Sequence, residues 1–337
     1  MPHSAPASTM AEMVAGLGGV SLGAIDPHIR AIDAWHDGPT VADLLETCFS
    51  DEGIDESGLR MIRMLRHYGP LESLIMEGAP GLVWSEDGQL VGNVSIQRNP
   101  TRRSTWVVGN VATHPAFRNR GIASALMEAT IRFAKTRGAR RIALQVMEGN
   151  APAQHLYRKY GFRELGAVTY YRRPSVRTQP IWHDVSAAPP PLVRRAGWSD
   201  SADVWRATRF NVTDELTFAE PFDESVYRLG LRWTLTNFIN GGLEQWLVAE
   251  SGGRFNGAVR TRANLELNEH HLELMLNAQA GEGVGVALLE RALKRFEMYS
   301  GKPLLATQAR PHEPSHAALQ AMGFKPLRTL VHMALDE

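Results

Sequence analysis

The sequence predicts two successive α/β (α+β) domains, each a mixed central sheet with helices packed against it. Three observations carry this reading. The chain has 337 residues, about twice an ordinary domain of roughly 100–200 residues. Strand-type and helix-type runs are interleaved in both halves, the pattern of a sheet covered by helices. A set of landmarks also recurs at one offset. Gly121, Ala125-Leu126, Glu128, Pro152 and Gly161-Phe162 precede Gly283, Ala287-Leu288, Glu290, Pro314 and Gly323-Phe324 by 162 positions. A single register linking a helix start to a distant Gly-Phe is the mark of a tandem duplication.

Punctuation sets the boundaries. Residues 1–25 read as a flexible tail ending at Asp26-Pro27, since unanchored chain ends fray. Residues 186–191 contain Ala187, Ala188 and Pro189-Pro190-Pro191, which continues neither a helix nor a central strand and reads as a semi-rigid linker. The expected domains are therefore 26–185 and 192–337.

In the first domain, Ile29–Ala34 reads as a strand. Thr40 is placed to cap a helix over Val41–Phe49, with Val41, Leu44, Leu45 and Cys48 on one face. Leu59–His67 reads as a second helix, stopped before Gly69-Pro70. Gly81–Trp84 and Leu90–Gln97 are strands joined by Ser85-Glu86-Asp87-Gly88, a hairpin signal. Trp106–Thr113 is a third sheet strand. Ile122–Arg137 is an amphipathic helix closed by Gly138. A strand at Arg141–Val146, a helix at Ala151–Tyr160 ended by Gly161, and a strand at Val168–Arg172 complete the domain. The second domain repeats this grammar. It has a strand at Leu192–Arg195, a helix capped by Ser199, and strands Leu247–Glu250 and Asn256–Thr261 around Ser251-Gly252-Gly253. Leu272–Asn277 then leads to helices over Val286–Tyr299 and His316–Met322.

Composition narrows the function. Thirty-six Lys+Arg balance 36 Asp+Glu, which argues against a protein devoted to nucleic-acid backbone. At 44% hydrophobic and 21% charged residues the chain is globular. The single cysteine, Cys48, makes no internal disulfide and excludes a cysteine-rich zinc site. No run approaches the roughly 20 apolar residues of a membrane span. The apolar stretch Met10–Ile25 has no cationic residues before it, unlike a signal peptide. A cytoplasmic protein with no membrane, metal or nucleic-acid partner is expected; the oligomeric state is left open.

The segment most informative about chemistry runs from Asn110 to Ser124. A strand enters a short basic turn containing Arg118, Asn119, Arg120 and Gly121, and a helix begins at Ile122, Ala123 and Ser124. The first turn of a helix has unpaired N–H groups and the positive end of the dipole. A diphosphate is the natural ligand of such an end. Gly121 lets a ligand approach the backbone, Ala123 keeps the surface low, and the two arginines add charge. The segment lacks the extra glycines of a dinucleotide fingerprint and the Gly-Lys-Ser/Thr of a nucleoside triphosphate loop. Further on, Asn150 follows a strand, and Ala153, Leu156 and Tyr157 lie on the next helix before Gly161-Phe162.

Taken together, Arg118-x-x-Gly121-x-Ala123 and Asn150…Tyr157…Gly161-Phe162 resemble the two conserved segments of the GNAT superfamily of acyl-CoA-dependent N-acetyltransferases. The likeness covers about residues 28–172 and extends weakly over 192–337. It implies two tandem GNAT-like domains, each with a sheet whose two parallel strands part like a V. It implies acetyl-CoA as co-substrate, its pantetheine arm along Val111, Ala112 and Thr113 and its diphosphate on the amides of Arg118–Ser124. Asn150 would contact the pantetheine amide and Tyr157 would lie near the sulfur. The acceptor would be a small-molecule amine or a protein amino group.

The chemistry has its own logic. Attack of an amine on a thioester makes an oxyanion, which a strand N–H near Ala112 or Thr113 could hold. The expelled thiolate needs a proton, and Tyr157, with an ordinary phenol pKa of about 10, has one to give at neutral pH. The base stays open among Glu148, His114, a held water, or an amine arriving neutral; Val107 stands where some relatives of the family carry a glutamate. The acidic residues Asp51, Glu52, Asp55 and Glu56 could draw a cationic acceptor. In the second half the corresponding turn reads Ala280-Gly281-Glu282-Gly283, with His312 and Leu319 at the positions of Asn150 and Tyr157. A carboxylate repels a diphosphate, so this copy is expected to be silent. The competing expectation is a non-catalytic acyl-CoA-binding regulatory module.

Overall fold

A computed structural model describes residues 26–33, 36–49, 81–175, 190–213, 215–218, 224–239, 241–264, 269–299, 301–309 and 312–337. The tail 1–25, the helix expected at Leu59–His67, the acidic group Asp51–Glu56 and linker residues 186–189 lie outside them. The chain forms two compact units, and the division is not one cut. The first comprises Met1–Gln145, Pro152–Arg163 and Ala334–Glu337; the second comprises Val146–Ala151 and Glu164–Met333.

In the first unit β1 (Ile29–Ala31), β2 (Gly81–Glu86), β3 (Gln89–Arg98), β4 (Thr105–Thr113) and β5 (Arg141–Met147) lie side by side in chain order. The first four are antiparallel. Asp87 and Gly88 take φ of 51° and 80°, the left-handed pair that closes a two-residue hairpin. The β4–β5 pair is parallel and runs only from Thr105↔Arg141 to Val108↔Leu144. Helix α1 (Gly38–Phe49) packs Val41, Ala42, Leu44 and Leu45 on Val83, Leu90 and Ala112. It begins before Thr40, which is therefore not its cap. Pro39 suits a first helical turn, and Val41 N–H already bonds Asp37 O (2.8 Å). Helix α2 (Ile122–Thr136) buries Ile122, Leu126, Met127 and Phe133. Gly138 follows it at φ 77°, with Ala139 N–H on Ala134 O (3.0 Å). Helix α3 (Ala151–Lys159) ends at Gly161, φ 87°. The last residues of the chain also belong here: Glu337 N–H bonds Arg140 O (3.1 Å), and Asp336 pairs with Arg141 (Nη2, 2.9 Å) and Arg163 (Nη2, 2.8 Å).

In the second unit the strand order is β12 (Lys325–Asp336), β6 (Arg163–Arg173), β11 (Leu304–Ala309), β10 (His270–Leu276), β9 (Arg254–Arg262), β8 (Glu244–Ser251) and β7 (Leu192–Arg195). β10 and β11 are parallel over His270↔Leu304 to Glu273↔Thr307, and β6 joins β11 antiparallel. Helices α4 (Ser201–Asn211), α5 (Leu231–Ile239), α6 (Glu282–Phe296) and α7 (Glu313–Ala321) accompany them. Leu288, Leu289, Phe296 and Leu319 from α6 and α7 enter a core with Val259, Leu274 and Leu276 of the sheet. Ser199 does not cap α4: it lies in a 3-10 turn over Trp198–Asp200, and α4 starts at Ser201.

The duplication is written into the details of each half. Phe162 N–H bonds Tyr157 O (3.1 Å), and Phe324 N–H bonds Leu319 O (3.0 Å), so both helices close identically. Arg30 forks onto Asp37 (2.5 and 2.7 Å) while Asp33 N–H caps the same carboxylate (2.7 Å). Arg194 forks onto Asp200 (2.7 and 2.7 Å), with Gly197 N–H on it at 2.7 Å. In each half a first-strand arginine thus ties the strand to the approach of the first helix.

Candidate active site

β4 positions the site. Its partner β5 is lost after Val108, so Gly109–Thr113 keep β3 on one side and have an edge free of β5 on the other. The ladder to β3 shifts register between Asn93 and Ser95. At that bulge Asn110 takes φ 53°, a conformation Asn tolerates better than most residues. The buried Asn93 holds it there, its Nδ2 bonding Asn110 O (2.9 Å).

The bulge decides which amide faces the free edge. His114 N–H bonds Val91 O (2.9 Å), which makes Val91/His114 a hydrogen-bonded pair. Antiparallel pairs alternate, so Gly92/Thr113 is a non-hydrogen-bonded pair, with Thr113 N–H and C=O turned away from β3. Ala112 N–H then points into the β3 ladder. Thr113 O indeed accepts from Cys48 Sγ (3.4 Å) and Arg118 Nε (3.4 Å) on that outer side.

The turn after β4 follows from its sequence. Pro115–Phe117 is one 3-10 turn, and the His114 ring accepts at Nδ1 from Ala116 N–H (3.3 Å). That N–H engages the Nδ1 lone pair within the turn. Asn119 (φ 64°) and Gly121 (φ 83°) are both left-handed. A Cβ at Gly121 would meet nothing within 4 Å, so backbone conformation, not crowding, calls for glycine there. Gly121 caps α2 without a side-chain bond, and the first helical bond is Ala125 N–H to Gly121 O (3.0 Å). The amides of Ile122, Ala123 and Ser124 precede that bond and face out of the helix end. Arg118, Asn119, Arg120 and Gly121 are exposed and Ile122 is buried. Arg120 lies over the Phe117 ring (4.8 Å) and pairs with Glu86 (3.3 Å).

Tyr157 is buried on α3, its ring 6.0 Å from Phe162. Three residues on, Tyr160 O–H donates to Ser124 O (2.8 Å). Tyr160 lies just past the end of α3, so this bond ties the end of α3 to the first turn of α2. Burial, reinforced by Glu128, pushes the Tyr160 phenol up, which keeps it a donor. Sequence reasoning missed Tyr160, Asn93 and Asn110; the Gly109-Asn110 pair inside a strand run was the available signal for the bulge. Asn150 and Glu148 follow β5 in the second unit, where Asn150 N–H bonds Met147 O (3.0 Å) and Glu148 N–H bonds Thr329 O (2.9 Å). Val107 lies within β4, opposite Gln97 on β3 and Ala143 on β5.

The second half is built differently at the matching place. α6 starts at Glu282, with Gly281 extended at φ −80°, ψ 170°. Gly283, the counterpart of Gly121, therefore lies inside the helix, and regular helix fills the place of a left-handed turn. Leu319, the counterpart of Tyr157, is fully buried.

Among the described residues no group of three His, Cys, Asp or Glu is placed to hold a metal. No described helix is long and apolar enough to cross a membrane.

The first half thus combines a parted parallel strand pair with a helix end that has no side-chain cap after a glycine turn, and comparisons with known proteins bear on its family. Residues 39–162 match the model of the Acetyltransferase (GNAT) family. An L-amino acid N-acetyltransferase of Escherichia coli (strain K12) is 38% identical over 97 residues, 28% of this chain and 59% of that protein. An N-alpha-acetyltransferase of Sulfurisphaera tokodaii is 29% identical over 115 residues, 31% of this chain and 69% of that protein. The chain spans about three-fifths of the bacterial relatives it matches, 58% and 59% for two of them. A GCN5-related N-acetyltransferase structure from Sphaerobacter thermophilus aligns with 91% of this chain and 95% of its own, with TM-score 0.61 and 16% identity. That likeness is one of fold, and it runs through both halves. The match to the GNAT family model lies in the first half of the chain.

Proposed function

We propose that the first half transfers an acetyl group from acetyl-CoA to an amine. The observation that carries this is the β4 end: a strand released from β5, with Thr113 N–H on the open edge, leading into the Asn119/Gly121 turn and the uncapped α2. These features fit a diphosphate, which needs several convergent N–H donors and a nearby cation; Arg118 supplies the charge. Val111 and Thr113 would bond the pantetheine arm.

The residues of the chain would act as follows. Thr113 N–H holds the oxyanion as the amine nitrogen bonds the thioester carbon. The C–S bond then breaks, and Tyr157 O–H gives its proton to the leaving sulfur. The proton shed by nitrogen returns the phenol through solvent. An amine arriving neutral needs no base before attack, consistent with Val107. The two relatives act on amino groups by name, which supports an amino acceptor. The second half takes no part in transfer, since it carries Glu282 at the helix start and Leu319 in place of the phenol.

Thiol release with a panel of amines tests this in the full-length protein. Tyr157→Phe is expected to lower kcat by about 10²-fold, the lower range for a general acid, and to leave acetyl-CoA affinity nearly unchanged. Binding of acetyl-CoA with no turnover of any amine would instead identify a non-catalytic acyl-CoA sensor.

A further inference from the structure

The second unit contains a cavity of about 180 Å³ at the ends of β10 and β11, beyond the point where those strands stop pairing. Its wall has one polar atom with a fixed identity and no bond. Asn211 Nδ2 donates to Ala207 O (2.8 Å) and Leu276 O (2.8 Å). Both partners are carbonyls, so the nitrogen must face them and Oδ1 must face Gln308. Gln308 Nε2 donates to that oxygen at 3.3 Å. The orientation of Gln308 follows, and its Oε1 has no partner among the described residues although the side chain is only 2% exposed. A buried amide oxygen without a donor is a costly feature unless a ligand supplies one.

The charges around the cavity choose the donor. Glu273 lines it and accepts from Tyr227 O–H (2.8 Å) and from Arg260 Nη1 (2.8 Å). Arg260 is shared with Glu244 (2.7 Å), which also faces the exposed Arg262 (3.8 Å); Glu273 is the one carboxylate among the described residues lining the cavity, and no Lys or Arg lines it. Each Glu273 oxygen keeps a further lone pair. His332 also lines the cavity. Leu216, Leu274 and Met275 make the rest of the wall apolar.

We propose that this cavity binds a small aliphatic primary ammonium, its head on Gln308 Oε1 and the Glu273 carboxylate and its alkyl chain against Leu216, Leu274 and Met275. An anion would meet the Glu273 carboxylate, and a ligand without a donor would leave Gln308 unpaired. For size, a dry cavity of about 150 Å³ takes benzene, so a ligand of about six heavy atoms fits, such as n-pentylammonium. The site is independent of the transfer reaction in the first half.

The test is methionine-methyl NMR on the full-length protein at pH 8, with the Met275 signal identified by Met275→Leu. Titration with n-pentylamine, protonated at this pH, is expected to shift the Met275 methyl saturably. 1-Pentanol and pentanoate should bind at least about tenfold more weakly, the factor for losing one charged hydrogen bond. Gln308→Leu should weaken the amine by a similar factor. Should that variant fail to fold, Ala309→Leu, which fills the cavity from its wall, should abolish the shift. Equal binding of pentanol and pentylamine, an unchanged shift in Ala309→Leu, or shifts confined to methionines of the first unit would each overturn the proposal.

Discussion

Asp200 shows how much one side chain holds. Its carboxylate receives three hydrogen bonds, two from the Arg194 fork and one from Gly197 N–H. The bonds from Arg194 lower its pKa first, burial opposes them, and Gly197 adds to the lowering. The sign follows from linkage. A carboxyl with a folded pKa below its unfolded value of about 3.9 stabilises the fold above that value and loses the effect as pH falls through the folded pKa. Asp200→Asn is therefore expected to destabilise the second unit at neutral pH by on the order of 1.5–3 kcal/mol, the range for charged hydrogen bonds. The gap to the wild type should begin to narrow as pH falls below about 4 and go on closing through the lowered folded pKa. Denaturant melts at pH 7 and pH 3.5 would measure both, and a gap independent of pH would contradict the assignment. Neither this pair nor its twin Arg30–Asp37 was legible in the sequence. Each joins a strand to an approaching helix, and no helical or strand period links the partners.

At the scale of elements, the start of α2 was the most legible part of the chain. A helix period, a glycine before it and arginines around it are all local signals, and the structure returns the left-handed Gly121 they imply. The same reasoning misjudged the second half, where Gly283 looked equivalent but is absorbed into α6. The difference depends on where the helix nucleates, which spacing alone does not fix. Gly121→Ala isolates the element's role. No neighbour obstructs a methyl there, so the effect is the left-handed penalty of about 1–2 kcal/mol. The expected outcome is a fivefold to thirtyfold rise in acetyl-CoA Kd, read by equilibrium titration, with the helix content unchanged. Elements without a strong pattern went unread. α5 buries none of its residues and exposes Leu231, Leu235, Phe238 and Ile239, apolar positions that did not stand out as a core face. β11 and β12 were missed because a short apolar run resembles strand and buried helix alike.

At the scale of the molecule, the mixed sheets and the repeat were legible, but the distribution of strands was not. Sequence punctuation suggests a division at the proline run, whereas compactness assigns Glu164–Arg173 to the second unit and Ala334–Glu337 to the first. Strand partners are set by long-range pairing, and no local residue choice records them. One consequence can be measured. Truncation after Met333 removes Asp336 from Arg141 and Arg163, and Glu337 from Arg140. Amide exchange at Arg141–Gln145 is expected to accelerate in the truncated protein. Unchanged protection there would show that the terminal residues contribute nothing to the first unit.

Calorimetric titration of the full-length protein with acetyl-CoA tests most directly whether one helix end, and one alone, receives the coenzyme. The expected isotherm has one equivalent per chain, weakened at least tenfold by Arg118→Glu and unaffected by Glu282→Ala. An absence of heat, a second equivalent, or indifference to Arg118→Glu would contradict it.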